Sequence, residues 1–458
     1  MADDNLLRVT GIRVTGLFGR YSHEVPLRLD ERVTIIHGPN GVGKTVILRL
    51  TAALLAGKLM EFGKVPFDSF EVSLSDNSTL GARKENSTKT DKFRLGVVFY
   101  LRKSNDEVIE YSIEGEDADI NLFAKRIEAE SPYLSRVGPD QYLDRRTDEL
   151  MTSYEVAANY AEFVPGRPRT RGFFDIPDWM LSLQERVGVH FIEAQRLLRF
   201  APERNREPPR YPGVGRAQFV ETVKDYAKDL EQRISGTLAT YAKVSQSLDQ
   251  SFPERLLKSD QWEGLSPETL KNKMQELEIK RQNLREIGLI EQDAADPFDV
   301  SALEKTNAAQ QSVMTLYVED TEKKLGVLDE LARPISLMLE NINRKFTHKS
   351  IRISRAKGFT AVTPEGKVLE LGALSSGEQH ELVLLYDLLF RVKSNTLVLI
   401  DEPELSLHVT WQKTFLPDLL EIVSATKFDV LLATHSPFIV GDRNDLMVPL
   451  EADSQTNL

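Results

Sequence analysis

Apolar and polar positions follow two different periods along the 458-residue chain, and the period changes twice. From Leu6 to Val14 and from Val25 to Leu29 the two kinds alternate, as on half-buried strands. Val33-Thr34-Ile35-Ile36 reads as a short strand of the buried type that runs straight into a glycine-rich turn. Helix signal follows from Thr45 through Leu55. Phe70 to Leu74, Phe93 to Leu101 and Val108 to Ile113 are further strands, in an order that predicts an antiparallel patch beside a parallel sheet. The stretch from Ile120 to Pro177 mixes its signals, is interrupted by glycine and proline, and receives no assignment. Val187 to Ala194 (VGVHFIEA) is a strand that ends at Gln195-Arg196.

After a proline- and arginine-rich loop, Arg199 to Arg216, the period becomes helical. Val220, Val223, Ala227, Leu230, Ile234, Leu238, Tyr241, Val244 and Leu248 fall three and four apart, on one helix face. Further helical runs cover Pro267 to Ile287 and Ala308 to Phe346. This predicts a helical hairpin or short antiparallel bundle, too short for a long coiled-coil arm. Strand signal returns at Lys349 to Ser354 and Lys367 to Leu371. An apolar helix follows over Leu382 to Val392, then a strand over Thr396 to Ile400, a helix over Trp411 to Ser424 and a strand over Asp429 to Ala433. The α/β signal lies at both ends of the chain with the helical signal between. The expected architecture is therefore one α/β head split by an insertion: an amino-terminal lobe over 1–198, the arginine-rich loop and helices over 199–346, and a carboxy-terminal lobe over 347–458.

Composition narrows the class. Hydrophobic residues make up 41% and charged residues 28%, a globular balance. The net charge of −12 argues against general coating of nucleic acid, though not against a local basic patch. The absence of cysteine excludes disulfides and thiolate metal sites. No apolar run approaches the roughly 18 to 20 residues of a membrane span, and the first residues lack a secretory pattern, so a cytoplasmic location is expected.

Three motifs carry chemistry. GPNGVGKT, Gly38 to Thr45, fits G-x-x-x-x-G-K-[ST] between a strand and a helix. In that pattern the backbone N–H groups of Gly38, Pro39-Asn40, Gly41, Val42 and Gly43 surround phosphates (the proline itself has none to give). Lys44 reaches the β- and γ-phosphates and Thr45 ligates Mg²⁺. TLVLIDEPE, Thr396 to Glu404, delivers two carboxylates at a strand end. In a protein with such a phosphate loop Asp401 is expected to hold Mg²⁺, directly or through water, and Glu402 to orient and deprotonate the attacking water. LLATHSP, Leu431 to Pro437, ends a strand at His435, placed to contact a γ-phosphate.

Together with LSSGEQH, Leu374 to His380, these segments resemble the ATP-binding-cassette ATPases. The resemblance implies a P-loop ABC-type α/β head, a mixed sheet with flanking helices and an antiparallel β subdomain, interrupted by a helical insertion. It implies ATP and Mg²⁺ as cofactors. Leu374-Ser375-Ser376-Gly377-Glu378 resembles the signature motif, which caps the γ-phosphate of a nucleotide held by a second protomer. The family pattern usually has Gly-Gly where this chain has Ser376-Gly377. Glu404 to His408 resembles the D-loop, and Gln195 the loop glutamine that senses Mg²⁺. Phe18 or Tyr21 is placed to stack on adenine.

The separation of phosphate loop and signature by a helical stretch is similar to the SMC, RecF and OLD branch. The arms are too short for the chromosome-tethering members. The chain ends too soon after His435 for the Toprim domain of OLD nucleases, and no HNH-like cluster is present. GLFGRYSHEVPL and FIEAQRL look most like the ATPase subunit of the PARIS anti-phage system, with the Septu ATPase next. That resemblance implies an ATP-hydrolysing sensor and scaffold, a homodimer through an ATP sandwich within a higher oligomer. Its expected partners are a separate nuclease, Toprim-type first and HNH-type second, and a phage trigger protein. The competing expectation is a RecF-like DNA-repair clamp, with DNA held by arginines of the Arg199 to Arg216 loop and by Arg167, Arg169 and Arg171.

Overall fold

A computed structural model of the chain describes residues 7–85, 93–115, 117–131, 134–145, 149–160, 176–192, 198–200, 219–258, 264–291 and 307–451. These residues form two compact units, Met1–Phe219 with Arg391–Leu458, and Val220–Phe390.

The first unit contains the two sheets that the alternating patterns predict. The strands Val189–Ile192, Leu397–Asp401, Asp429–Ala433, Val33–His37 and Met447–Pro449 lie side by side in that order, all parallel. Every residue of Leu397–Asp401 and of Asp429–Ala433 is buried, which is why these strands read as unbroken apolar runs. The second sheet is antiparallel and six-stranded, in the order Tyr21–Pro26, Val9–Leu17, Ser69–Leu74, Thr79–Lys84, Phe93–Arg102, Val108–Gly115. Its alternating positions turn Ile12, Val14, Phe70, Val72 and Phe99 into the core. There Phe62 meets Phe67, Phe70 and Phe99 edge to face at 5.6, 5.7 and 5.4 Å. Helix Lys44–Ala56 buries Ile47, Leu48, Leu50 and Leu54 in the same core and stops at Gly57, whose left-handed backbone closes the end. The unassigned stretch after Val108–Gly115 forms a small module of its own. Helices Asp117–Glu130 and Ser153–Asn159 and a three-stranded sheet enclose Ile120, Phe123, Ile127, Tyr142, Val156 and Tyr160.

The second unit is built on helix Thr222–Lys258. Val223, Ala227, Leu230 and Ile234 on the expected face are buried, and Leu238, Tyr241, Val244 and Leu248 are half-buried. Helix Pro267–Glu286 matches its expected run. The single helix expected over Ala308 to Phe346 is two, Ala308–Gly326 and Asp329–Lys345, broken just after Gly326, a poor helix former. A hairpin of Ser350–Ser354 and Gly358–Val362 follows, and the second of these strands was not anticipated. Helix Ser376–Tyr386 starts earlier than the apolar run suggested, because a polar cap opens it. It passes into a π-helical turn over Asp387–Arg391.

The division into units falls at 219/220 and 390/391, whereas the sequence pattern places boundaries at 198/199 and 346/347. The hairpin and the capped helix belong with the long helix for a steric reason. Gly358 (φ 71°) lies so close to the Ala227 carbonyl that no side chain fits, and Tyr386 stacks on Tyr226 at 4.6 Å.

Candidate functional site

Strand Val33–His37 ends at the loop Gly38 to Gly43, and helix Lys44–Ala56 begins directly after it. Gly41 (φ 85°) faces open space. Gly43 (φ 100°) caps the helix in a left-handed conformation, and a Cβ there would lie 2.3 Å from Leu17 Cδ2. The Lys44 side chain folds back into this loop. Its ammonium donates to the carbonyls of Gly38 (2.8 Å) and Pro39 (2.9 Å) and lies 3.4 Å from His435 Nδ1. Burial holds the Lys44 pKa below the ordinary lysine value, against the opposing pull of Glu402, Asp401 and Glu404.

The parallel sheet brings the carboxylates to the same place. Asp401, at the end of its strand and 8% exposed, accepts the Thr45 hydroxyl at 3.0 Å. Burial pushes the Asp401 carboxyl above the ordinary range, and the Thr45 hydrogen bond opposes this. Glu402 has a left-handed backbone (φ 41°, ψ 57°), unusual for a non-glycine residue, and its N–H donates to the Ala433 carbonyl on the neighbouring strand. That backbone turns its carboxylate to within 3.4 Å of His435 Nε2. Lys44, Thr45, Asp401, Glu402 and His435 are therefore one cluster at the carboxyl ends of adjacent parallel strands, where open α/β sheets bind ligands.

The residues fit a Mg²⁺–triphosphate. A desolvated ammonium and a desolvated carboxylate are each disfavoured by burial, and a polyanion with a divalent cation compensates both. Among the described residues no group of three or more His, Asp or Glu forms a metal cage. Thr45 and Asp401 offer two adjacent oxygens, and Mg²⁺ takes one or two protein oxygens and completes its shell with phosphate and water.

Two further residues hold the site in ways that no sequence motif signals. Glu404 Oε1 accepts from Thr434 Oγ1 (2.8 Å), the His435 N–H (2.6 Å) and the Ser436 N–H (3.2 Å), so it fixes the backbone that carries the histidine. His23, 7% exposed, places Nε2 2.9 Å from the Val42 carbonyl. Phe18 (φ 56°) sits at the turn after strand Val9–Leu17, exposed, with its ring 3.6 Å from the position a Cβ on Gly43 would take. Tyr21 instead stacks on His23 at 5.9 Å and lies under Arg20. Gln195 lies outside the described residues, as do Arg167, Arg169, Arg171 and nearly all of the Arg199 to Arg216 loop.

In the second unit, Ser375 caps helix Ser376–Tyr386. Its hydroxyl accepts the Glu378 N–H, and Glu378 Oε2 accepts the Ser375 N–H at 2.7 Å, a reciprocal capping box. Lys349 donates to both Glu378 oxygens, at 3.0 and 2.8 Å. Burial raises the Glu378 pKa, but its partners Lys349 and Ser375 outweigh that and leave it lowered. Ser375 and Ser376 remain exposed and Gly377 is half-buried.

Solved structures and a family model resemble the chain. The Smc head domain with an extended coiled coil from Pyrococcus furiosus, solved bound to the C-terminal domain of ScpA, is 13% identical, with a TM-score of 0.35 over 98% of this chain and 94% of that one. The SMC head domain from Thermotoga maritima is 12% identical, with a TM-score of 0.31 over 96% and 94%. An SmcHead bound to the C-winged helix domain of ScpA is 10% identical, with a TM-score of 0.36 over 96% and 93%. No curated relative matches the chain. The family described as "AAA domain, putative AbiEii toxin, Type IV TA system" matches residues 213–441, half of the chain, a span that holds Ser375, Asp401, Glu402, Glu404 and His435, and to that family the chain belongs.

Proposed function

We propose that the chain is an ATP-hydrolysing sensor and scaffold subunit of a bacterial anti-phage defence complex, which controls a separate nuclease or toxin through ATP-dependent dimerisation. The observation that carries the nucleotide reading is the convergence of Lys44, Thr45, Asp401, Glu402 and His435. Lys44 releases its loop carbonyls to hold phosphate oxygens, and Thr45 and Asp401 hold Mg²⁺. Bound Mg·ATP supplies the electrophilic phosphorus and the charge that stabilises the leaving diphosphate. Glu402 takes a proton from the attacking water, and His435 orients Glu402 and reads the γ-phosphate. The exposed start of helix Ser376–Tyr386 serves the nucleotide of a second copy, because an exposed helix N-terminus with a serine hydroxyl is suited to an oxyanion. Membership in a family whose description names a "putative AbiEii toxin" and a "Type IV TA system" supports an effector role or partner.

Glu402→Gln tests this reading. The variant should bind Mg·ATP as the wild type does, lose turnover by about 10²-fold or more, and elute as an ATP-dependent dimer by light scattering. Ser375→Arg should remain monomeric in ATP. Wild-type turnover by Glu402→Gln would remove the assigned base. Retention of a co-expressed neighbouring nuclease in ATP, and its release in ADP, would support the defence role.

A further inference from the structure

The hairpin of strands Val9–Leu17 and Tyr21–Pro26 braces the phosphate loop at two adjacent points. Leu17 occupies the space beside Gly43, and His23 meets the carbonyl of Val42. We propose that His23 is a positioning residue, whose imidazole holds the Val42 carbonyl and so aims the Gly43 N–H at the phosphates. This rests on the nucleotide reading above.

The argument is one of peptide geometry. No described peptide bond is cis, so the Val42 C=O and the Gly43 N–H lie in one plane and point in opposite directions. Fixing the first fixes the second. Val42 is 1% exposed, and a buried carbonyl is costly to leave unpaired, so its bond to His23 selects the orientation of the plane. On the other side, the backbone bonds of the turns and caps among the described residues include none from the Gly43 N–H. Gly43 has free rotation in principle, since glycine tolerates either hand, so an external constraint is needed at this position. The imidazole is itself confined: it is buried, and Tyr21 stacks on it with 14° between the planes. The bond requires the proton on Nε2.

A donor to the loop acts on bound nucleotide before and during reaction alike. His23→Phe, which keeps a ring and removes the donor, should therefore weaken Mg·ATP and Mg·ADP binding alike, by about tenfold. KM should rise by a similar factor with kcat within about twofold. Affinities are best measured in the Glu402→Gln background, with kinetics on otherwise wild-type protein. His23→Gln, which restores an N–H donor, should recover most of the affinity. A wild type that binds no Mg·ATP defeats the nucleotide reading itself. A wild type that binds, beside a folded His23→Phe of equal affinity, defeats the positioning role alone. Should His23→Phe not fold, His23→Met removes the donor with a flexible side chain. Imidazole ¹⁵N spectra of the wild type give a further test: the Nε2–H tautomer is expected at His23, and an Nδ1–H tautomer would overturn the proposal.

Discussion

Thr45 donates its hydroxyl to Asp401 Oδ1 at 3.0 Å, across 356 positions of the chain. The bond leaves a buried carboxylate beside two further carboxylates, and burial holds the Asp401 pKa above the ordinary value. Its folded form binds the proton more tightly than the unfolded chain does. The stability this group contributes is therefore present below the ordinary carboxylate pKa and is lost as pH rises through the raised value. At neutral pH an ionised Asp401 costs stability unless a cation compensates it. Asp401→Asn should raise the melting temperature in EDTA and remove most of the stabilisation by Mg·ATP. In the wild type that stabilisation should shrink as pH falls toward the raised pKa, because the metal ligand must be deprotonated. Thermal melts at several pH values with and without Mg·ATP check both points, and a lower melting point for Asp401→Asn in EDTA would refute the first.

The strand, turn and helix around Lys44 and the strand that ends at Asp401 were legible because their pattern is written in contiguous residues. A strand, a glycine turn and a helix flank Lys44, and four apolar residues precede Asp401. The parallel sheet was legible because burial on both faces leaves an unbroken apolar run. His23 was not legible. Its contact with the Val42 carbonyl depends on a hairpin register that sets strand Tyr21–Pro26 beside that residue, and a single histidine on an alternating strand carries no signal of that. The small module after Gly115 was illegible for a related reason. Its strands are four or five residues long, too short for a period to emerge. The break after Gly326 is a local event inside a continuous helical pattern, and periodicity alone passes over it.

Glu404 links the loop after the carboxylate strand to His435. One of its oxygens serves three donors, two of them the N–H groups of His435 and Ser436. Glu404→Ala leaves those N–H groups without their acceptor and frees the histidine backbone. Turnover should fall by about 10- to 100-fold with KM little changed, since the phosphate loop is untouched. Glu404→Gln keeps an acceptor oxygen and should stay within about threefold of wild type. Steady-state kinetics of both variants decide the matter, and an Ala variant as active as the Gln variant would show that the contact is dispensable.

Lys345 and Glu381 form an ion pair in the helical unit, with side chains only 5% and 2% exposed. Glu381 lies on the helix that Ser375 caps, and its Oε2 has no hydrogen-bond partner among the described residues. Two charges removed from water depend on each other, so removing one is far worse than removing both. Lys345→Met should destabilise by about 3 to 5 kcal/mol. The double variant Lys345→Met with Glu381→Leu should recover most of that loss. Urea unfolding followed by helical circular dichroism gives the comparison, and additive effects of the two substitutions would contradict the coupling.

The same helix is joined to helix Thr222–Lys258 by two crossed bonds. Tyr226 donates to Asp387 Oδ1 at 2.5 Å, and Tyr386 donates to Asp229 Oδ2 at 2.6 Å, while the two rings stack. The bonds look alike but their acceptors do not. Asp387 is 1% exposed, whereas Asp229 is partly open to water and also pairs with Arg233 at 2.9 Å. Loss of a donor costs more at a buried carboxylate than at one that reaches water. Tyr226→Phe should therefore destabilise by about 1 to 3 kcal/mol, and Tyr386→Phe by clearly less, although Tyr386 is the more deeply packed ring. Both substitutions keep the stack, so the difference isolates the hydroxyl. Equal losses in parallel urea titrations would mean that burial of the acceptor does not govern these bonds.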